Sequence, residues 1–383
     1  MKNYTFRKPA LTTAITTALL AFNVSQANAT NYTFSDLDTV ARPSDSPIMG
    51  IALNNNGHIL GWRGTATGLA NGEVYATVWD GTSWNELPTI PGSTDHEMRS
   101  INDHGQVTGW VGFAPAQDLY VNYRYDNGVP VATARLSDTS WFAGGGSINN
   151  SGQIAGGAFE DDWEAVRWDA DGSIHRLTDL GGSNADTSAI NDHGEIVGTS
   201  DNPGDDYNAA VYWDAQGNLT ALQTLSGQPG GGWAADINNL GQIVGTTNDG
   251  AVLWENKDAA PELISTLSGF HGWVANDIND HGQMVGWAII DGVNRGHVFL
   301  WDQGTITDLS LLIPAALDAD GWRLAAYMPH INNLGQISGY LANTDGRFGA
   351  YMLTPTSVPV PGAVWLFGSA LAGFMSLRRK AIK

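Results

Sequence analysis

Side chains capable of acid chemistry are abundant in this sequence, since 39 of its 383 residues are Asp or Glu. Three close carboxylate pairs stand out: Asp161 with Asp162, Asp205 with Asp206, and Asp318 with Asp320. Each could be drawn as the acid and base of a glycosidase, but that reaction needs two carboxylates about 5–9.5 Å apart across one bond. Neighbouring positions in the chain do not supply that geometry. Asp169-Ala170-Asp171-Gly172 and Asp318-Ala319-Asp320-Gly321 open like calcium loops, yet neither continues to a glutamate at the twelfth loop position, which excludes an EF-hand. The absence of cysteine removes thiolate metal sites and cysteine nucleophiles, and the local signatures of serine hydrolases, zinc proteases and phosphate-binding loops are missing. The expectation is a protein that is not an enzyme, with no catalytic residue, no metal and no cofactor; calcium at loop carboxylates is the open alternative. Four tryptophans in Gly-rich segments carry a different chemistry: Trp141, Trp233, Trp273 and Trp322. Indole faces beside Asp and Asn suit stacking on sugar rings and bonding to their hydroxyls, so these are the expected ligand-binding residues.

The elements that must position them repeat. One phrase recurs as LNNNGHILG from Leu53, INDHGQVTG from Ile101, INNSGQIAG from Ile148, INDHGEIVG from Ile190, INNLGQIVG from Ile237, INDHGQMVG from Ile278 and INNLGQISG from Ile331. Its first asparagines, Asn54, Asn102, Asn149, Asn191, Asn238, Asn279 and Asn332, lie 48, 47, 42, 47, 41 and 53 residues apart, the period of a propeller blade. A second phrase follows each, as in AVRWD to Asp169 and AVYWD to Asp214, and a third alternating stretch follows most of those, as in GNLTALQTL and GTITDLSLL. Strand-period alternation and 47 glycines predict four short antiparallel strands per repeat. The Asn-Asn/Asp-x-Gly element reads as the turn joining the first two strands. His104, His193 and His281 share one position of that turn, where sister repeats carry leucine, so an exposed turn is expected there. The equivalent Trp79, Trp168, Trp213, Trp254 and Trp301 are expected to pack between blades. The last repeat lacks its fourth strand and NYTFSDLDTV near the N-terminus has that character. The predicted fold is therefore all-β, a seven-bladed propeller of four-stranded antiparallel blades over residues 30–354, closed by the N-terminal strand. The phrases resemble the HAF extracellular repeat family, a likeness that covers essentially the whole of this body and implies an extracellular setting without implying a substrate.

The two ends read as addresses. Residues 1–29 carry Lys2, Arg7 and Lys8, an apolar stretch at 11–22 and Ala27-Asn28-Ala29, which together predict a secretory signal cleaved after the Ala27/Ala29 motif. Residues 355–383 contain Val358-Pro359-Val360-Pro361, an apolar run and Arg378-Arg379-Lys380. This run is long enough to cross a bilayer marginally, and the basic cluster would stay cytoplasmic. The segment resembles the PEP-CTERM sorting tail, with Val360 where that family usually carries glutamate. The resemblance implies passage through the inner membrane, cleavage by an exosortase and delivery to the cell surface or extracellular matrix. Between the two ends 11 basic residues face 39 acidic ones, a net charge of −28, which disfavours nucleic acid as a partner. The expected function is binding or scaffolding in an exopolysaccharide matrix or biofilm, without catalysis, with exopolysaccharide or surface proteins as partners and only transient contact with the membrane. The alternative is a propeller glycoside hydrolase or lyase, which predicts two or three non-repeating carboxylates converging in the mouth of the channel.

Overall fold

The computed structural model describes residues 31–37, 48–64, 74–93, 95–113, 119–204, 207–226, 231–264, 270–290, 293–326 and 328–356. The signal motif at Ala27 and Ala29, the Asp205–Asp206 pair, and the sorting residues Val358, Pro359, Val360, Pro361, Arg378, Arg379 and Lys380 lie outside them. No helix among the described residues is long and apolar enough to cross a membrane.

Each repeat folds as one four-stranded antiparallel blade. In the fourth, the strands are Ala185–Ile190, Ile196–Asp201, Asn208–Trp213 and Leu219–Ala221, paired in chain order from the inside out. The first strand ends at the Ile-Asn pair, the second carries the GQIVG phrase and the third the A-x-x-W phrase. The glycine of the turn, Gly194 here, has φ +78°, a conformation that an added Cβ would strain. The seventh blade is completed by the N-terminal strand: Tyr32–Asp36 pairs antiparallel with Phe348–Pro355, with Tyr32 opposite Pro355. The predicted propeller and its closure are both present.

The repeated asparagines do more than make turns. Each Oδ1 accepts N–H groups of its own turn, as Asn191 does from His193 and Glu195 at 3.0 Å. Each Nδ2 donates to the backbone carbonyl of the equivalent asparagine in the next blade, at 2.9–3.1 Å, from Asn54 round to Asn332, which returns to Asn54. A second ring lies beside it. Backbone N–H groups of Asn55, Asp103, Asn150, Asp192, Asn239, Asp280 and Asn333 each donate to the side-chain oxygen of the next member, at 2.7–2.9 Å. Asn and Asp alternate from Asn55 to Asn333, where two asparagines meet as the ring closes, so each carboxylate sits between amide donors and never beside another carboxylate. The Gln of one phrase also reaches the acid of the next, as Gln153 does Asp169 and Gln283 Asp302.

Between blades the fully buried Trp168, Trp213 and Trp254 fill the core, and each indole N–H reaches a carbonyl near the end of the preceding repeat, Ala134, Thr178 and Gln223, at 2.6–2.7 Å. Three departures from the expected pattern matter. Blades two and three are stitched by a parallel bridge between Tyr120 and Phe142, with Tyr120 N–H donating to the Trp141 carbonyl at 2.8 Å. The stretch read as a fourth strand, GTITDLSLL, is a strand only over Thr305–Asp308; Asp308 then caps a 3-10 turn at Leu309–Leu312, and a short helix follows at Ala315–Ala319. Finally, the inner strand of blade seven is broken into Arg323–Leu324 and His330–Ile331, both pairing with Ile337–Ala342.

Candidate functional site in the channel mouth

The seven inner strands line a central channel whose two ends differ. One end, the ring face, is walled by the asparagine rings and holds a polar cavity of about 180 Å³. The opposite end opens into a mouth of about 390 Å³, within the usual size of a small-ligand site.

A β-bulge in the inner strands shapes that mouth. The register shifts between Gly50 and Ala52, Met98 and Ser100, Gly145 and Ser147, and Thr187 and Ala189. The extra residues, Ile51, Arg99, Gly146 and Ser188, face the mouth, as bulges commonly re-aim side chains. Four aromatic rings complete the wall: Trp62, Trp110, Phe142 and Trp163. Glycines make room for them. A Cβ on Gly144 would meet the rings of Phe142 and Trp110 at 2.9 Å, and one on Gly157 would meet Trp163 at 2.7 Å. The rings continue outward over blades two and three. Phe142 lies 5.1 Å from Trp163 and 6.0 Å from Trp110 between centroids, and Trp141 lies 5.1 Å from Phe159 and 6.4 Å from Tyr120. Trp141 is 44% exposed, so this aromatic surface runs from the mouth to solvent.

Three polar groups meet the rings in the mouth. The Arg99 guanidinium lies 5.5 Å from the Trp62 ring centroid and pairs with Glu97. Asp186 accepts the Thr187 N–H at 2.9 Å; burial pushes its carboxyl up, while Trp163, the Thr187 N–H and Arg99 pull it down. His330 bonds through Nδ1 to Asp277 Oδ2 at 3.0 Å, and its Nε2 is buried with no protein partner. Asp277 also accepts the Ile331 N–H at 3.0 Å, and Asp236 accepts the Ile278 N–H at 2.9 Å. Burial deep in the channel and the adjacent Asp277 charge push the Asp236 carboxyl well up. Burial works the same way on Asp277, but the hydrogen bond and charge of His330 outweigh it and hold that carboxyl below its ordinary value. Of the two carboxyls, Asp236 thus holds a proton more readily than Asp277.

The four sequence-predicted tryptophans do not converge. Trp141 belongs to the aromatic surface, and Trp233 is 39% exposed on blade five. Trp273 and Trp322 are corrections: both are buried in blade cores, Trp273 with its ring 4.5 Å from Phe299 and Trp322 among Leu309, Leu324 and Leu341, so neither presents a face to a ligand. The acid pairs that lie within the described residues are separate from the mouth. Asp161 and Asp162 sit exposed on a hairpin, and Asp318 pairs with Arg323 at 2.6 Å. Asp169-Ala170-Asp171-Gly172 is the turn between the third and fourth strands of blade three. Among the described residues no group of three or more His, Asp or Glu side chains is arranged to hold a metal ion.

Sequence reasoning missed the mouth residues, although an aligned set of repeats contains their signal. The residue before the Ile of each Ile-Asn pair reads Ala52, Ser100, Ser147, Ala189, Asp236, Asp277 and His330. The residue after the last glycine of the phrase reads Trp62, Trp110, Gly157, Thr199, Thr246, Trp287 and Tyr340. Both positions break the repetition, and the first contributes His330 to the mouth while the second contributes Trp62, Trp110 and Gly157.

No family model matches this chain, and no curated protein matches it. Among solved structures it is similar to TolB from Acinetobacter baumannii, with 13% identity over 74% of this chain and 60% of that one and a TM-score of 0.37. It is also similar to a gluconolactonase from Xanthomonas campestris, with 10% identity over 85% and 89% and a TM-score of 0.40. A third is the dihydro-heme d1 dehydrogenase NirN, with 12% identity over 87% and 80% and a TM-score of 0.37. Identities this low bring none of those proteins' activities to this chain.

Proposed function

We propose that this propeller is an exported glycan-binding protein of the cell surface or extracellular matrix, holding polysaccharide on the aromatic surface of the mouth and of blades two and three without cleaving it. The observation that carries this reading is the continuity of rings from Trp110, Phe142 and Trp163 in the mouth to the exposed Trp141. Flat apolar faces flanked by Arg99, Asp186 and His330 supply both stacking and hydroxyl partners. The placement of the chain ends supports an anchored precursor. Asn31 and Thr356 are hydrogen-bonded at 2.7 Å, and Tyr32 and Pro355 line one cavity with Asn333 and Leu334 of an asparagine turn. Asn31 and Thr356 thus lie on the ring face, and the mouth points away from it.

One observation favours the enzymatic alternative. Asp236, Asp277 and His330 are non-repeating and come together in the channel. Two facts weigh against it. Asp236 and Asp277 line the ring-face cavity rather than the mouth. Each also holds the N–H of the next blade's Ile, as the Ser100 hydroxyl does that of Ile148 at 3.3 Å, which is a structural task. The test is binding of the full chain to the exopolysaccharide of the producing organism, with and without calcium, with reducing sugar followed. Saturable binding without sugar release, weakened about tenfold or more by Trp110→Ala or Trp163→Ala, is the expected result. Release of sugar overturns it.

A further inference from the structure

Building on the glycan-binding reading above, we infer that the mouth is selective for an uncharged polysaccharide and that His330 Nε2 is the atom meeting a sugar hydroxyl. The imidazole is held in place, because its Nδ1 bonds to Asp277, which is itself fixed by the Ile331 N–H. Its other nitrogen is buried in the mouth wall with no protein partner, and an unsatisfied polar atom there is a cost that a bound group can remove. A hydroxyl both donates and accepts, so it suits Nε2 whichever proton the ring carries, whereas a carboxylate can only accept. The backbone around His330 is also strained towards the mouth. The inner strand of blade seven is interrupted between Leu324 and His330, and within the gap Met328 holds φ +56° directly before Pro329. A side-chain-bearing residue disfavours that conformation, and a following proline disfavours it further. Strain of this kind concentrates at ligand sites, and here it places Met328 in the mouth wall against the core of blades one and two.

Charge sets the ligand class. The one arginine of the mouth is already engaged by Glu97 and the Trp62 face, Asp186 lines the same mouth, and the body carries a net −28. A uronate chain would meet repulsion without a free cation to offset it.

The experiment uses the full chain in detergent against an array of neutral hexose oligosaccharides and uronate oligosaccharides, read by calorimetry, with Trp110→Ala and His330→Gln beside the wild type. The wild type is expected to prefer neutral members, and His330→Gln, measured well below its unfolding midpoint, to weaken their binding about tenfold or more. Should the glutamine variant fold poorly, a nitrogen spectrum of the histidine-labelled wild type decides instead, since the ligand should shift the His330 Nε2 resonance. Neutral binding that needs Trp110 but ignores His330, or a stationary Nε2 resonance, overturns the inference and leaves the glycan reading standing. Preference for uronates also overturns it. Failure of the wild type to bind any member sinks the glycan reading itself.

Discussion

Asn191 uses every polar valence of its side chain: Oδ1 accepts two N–H groups of its own turn, and Nδ2 donates to Glu195 and to the Asn238 carbonyl one blade away. A turn-forming residue thereby becomes a joint, and aspartate could not replace it without losing the donor that links the blades. The local half of this role was legible in the sequence, because Asn-x-x-Gly spells a turn. The inter-blade half was not, since it exists only after the ring closes, yet the alternation of INN and IND phrases already spelled out the spacing of the carboxylates. Among non-repeating residues, the Asp236–Asp277 pair makes the sharpest energetic prediction. The raised carboxyl of Asp236 opposes folding as pH rises from the ordinary carboxylate range through its folded value, whereas the lowered carboxyl of Asp277 supports folding above that range and loses its support as pH falls through it. Asp236→Asn keeps an acceptor for the Ile278 N–H and offers an amide donor to Asp277, so it should be neutral or stabilising at about pH 8. Asp277→Asn removes the charge that His330 pairs with and should cost about 1–3 kcal/mol. Urea unfolding of both variants at about pH 5 and about pH 8 checks this ordering, and equal losses at both values would contradict it.

At the scale of the element, the closing strand Tyr32–Asp36 matters most. It adds the outer strand to blade seven, stacks Phe34 on Tyr351 at 6.1 Å and packs Tyr32 and Phe34 against that blade's core. Partial burial of each ring contributes a fraction of the about 1.5–3 kcal/mol that full burial of such a side chain is worth, and loss of the strand would bare the edge of Phe348–Pro355. Deleting residues 30–37 is therefore expected to lower the unfolding midpoint and produce concentration-dependent aggregation in light scattering; a monodisperse protein with an unchanged midpoint would refute this role. The strand was readable from phase, as the fourth stretch missing from the last repeat. The 3-10 turn and helix at 309–319 were not. The DLSLL stretch alternates like a strand, and only the capping Asp308 followed by Pro314 marks the change. The 53-residue interval before Asn332, the longest of the set, is where that extra structure is accommodated.

The whole molecule has two unlike faces, and function is assigned by which face a residue reaches. Asn31, Thr356 and the asparagine turns share the ring face, while the aromatic rings and His330 gather at the mouth. Sequence pattern identified the tryptophans as sugar-stacking candidates but could not place them, because a residue's radial depth depends on where the bulge falls in each inner strand. Trp273 was thus read as a surface although it is core, and Trp62 went unread although it lines the mouth. The central claim is that glycan occupies the mouth, and hydrogen exchange of the full chain with and without the organism's exopolysaccharide tests it most directly. The account predicts slowed exchange in Val107–Phe113, Phe142–Ile148 and Trp163–Trp168, with the asparagine turns of the ring face unchanged. Protection confined to those turns, or none anywhere, would contradict it.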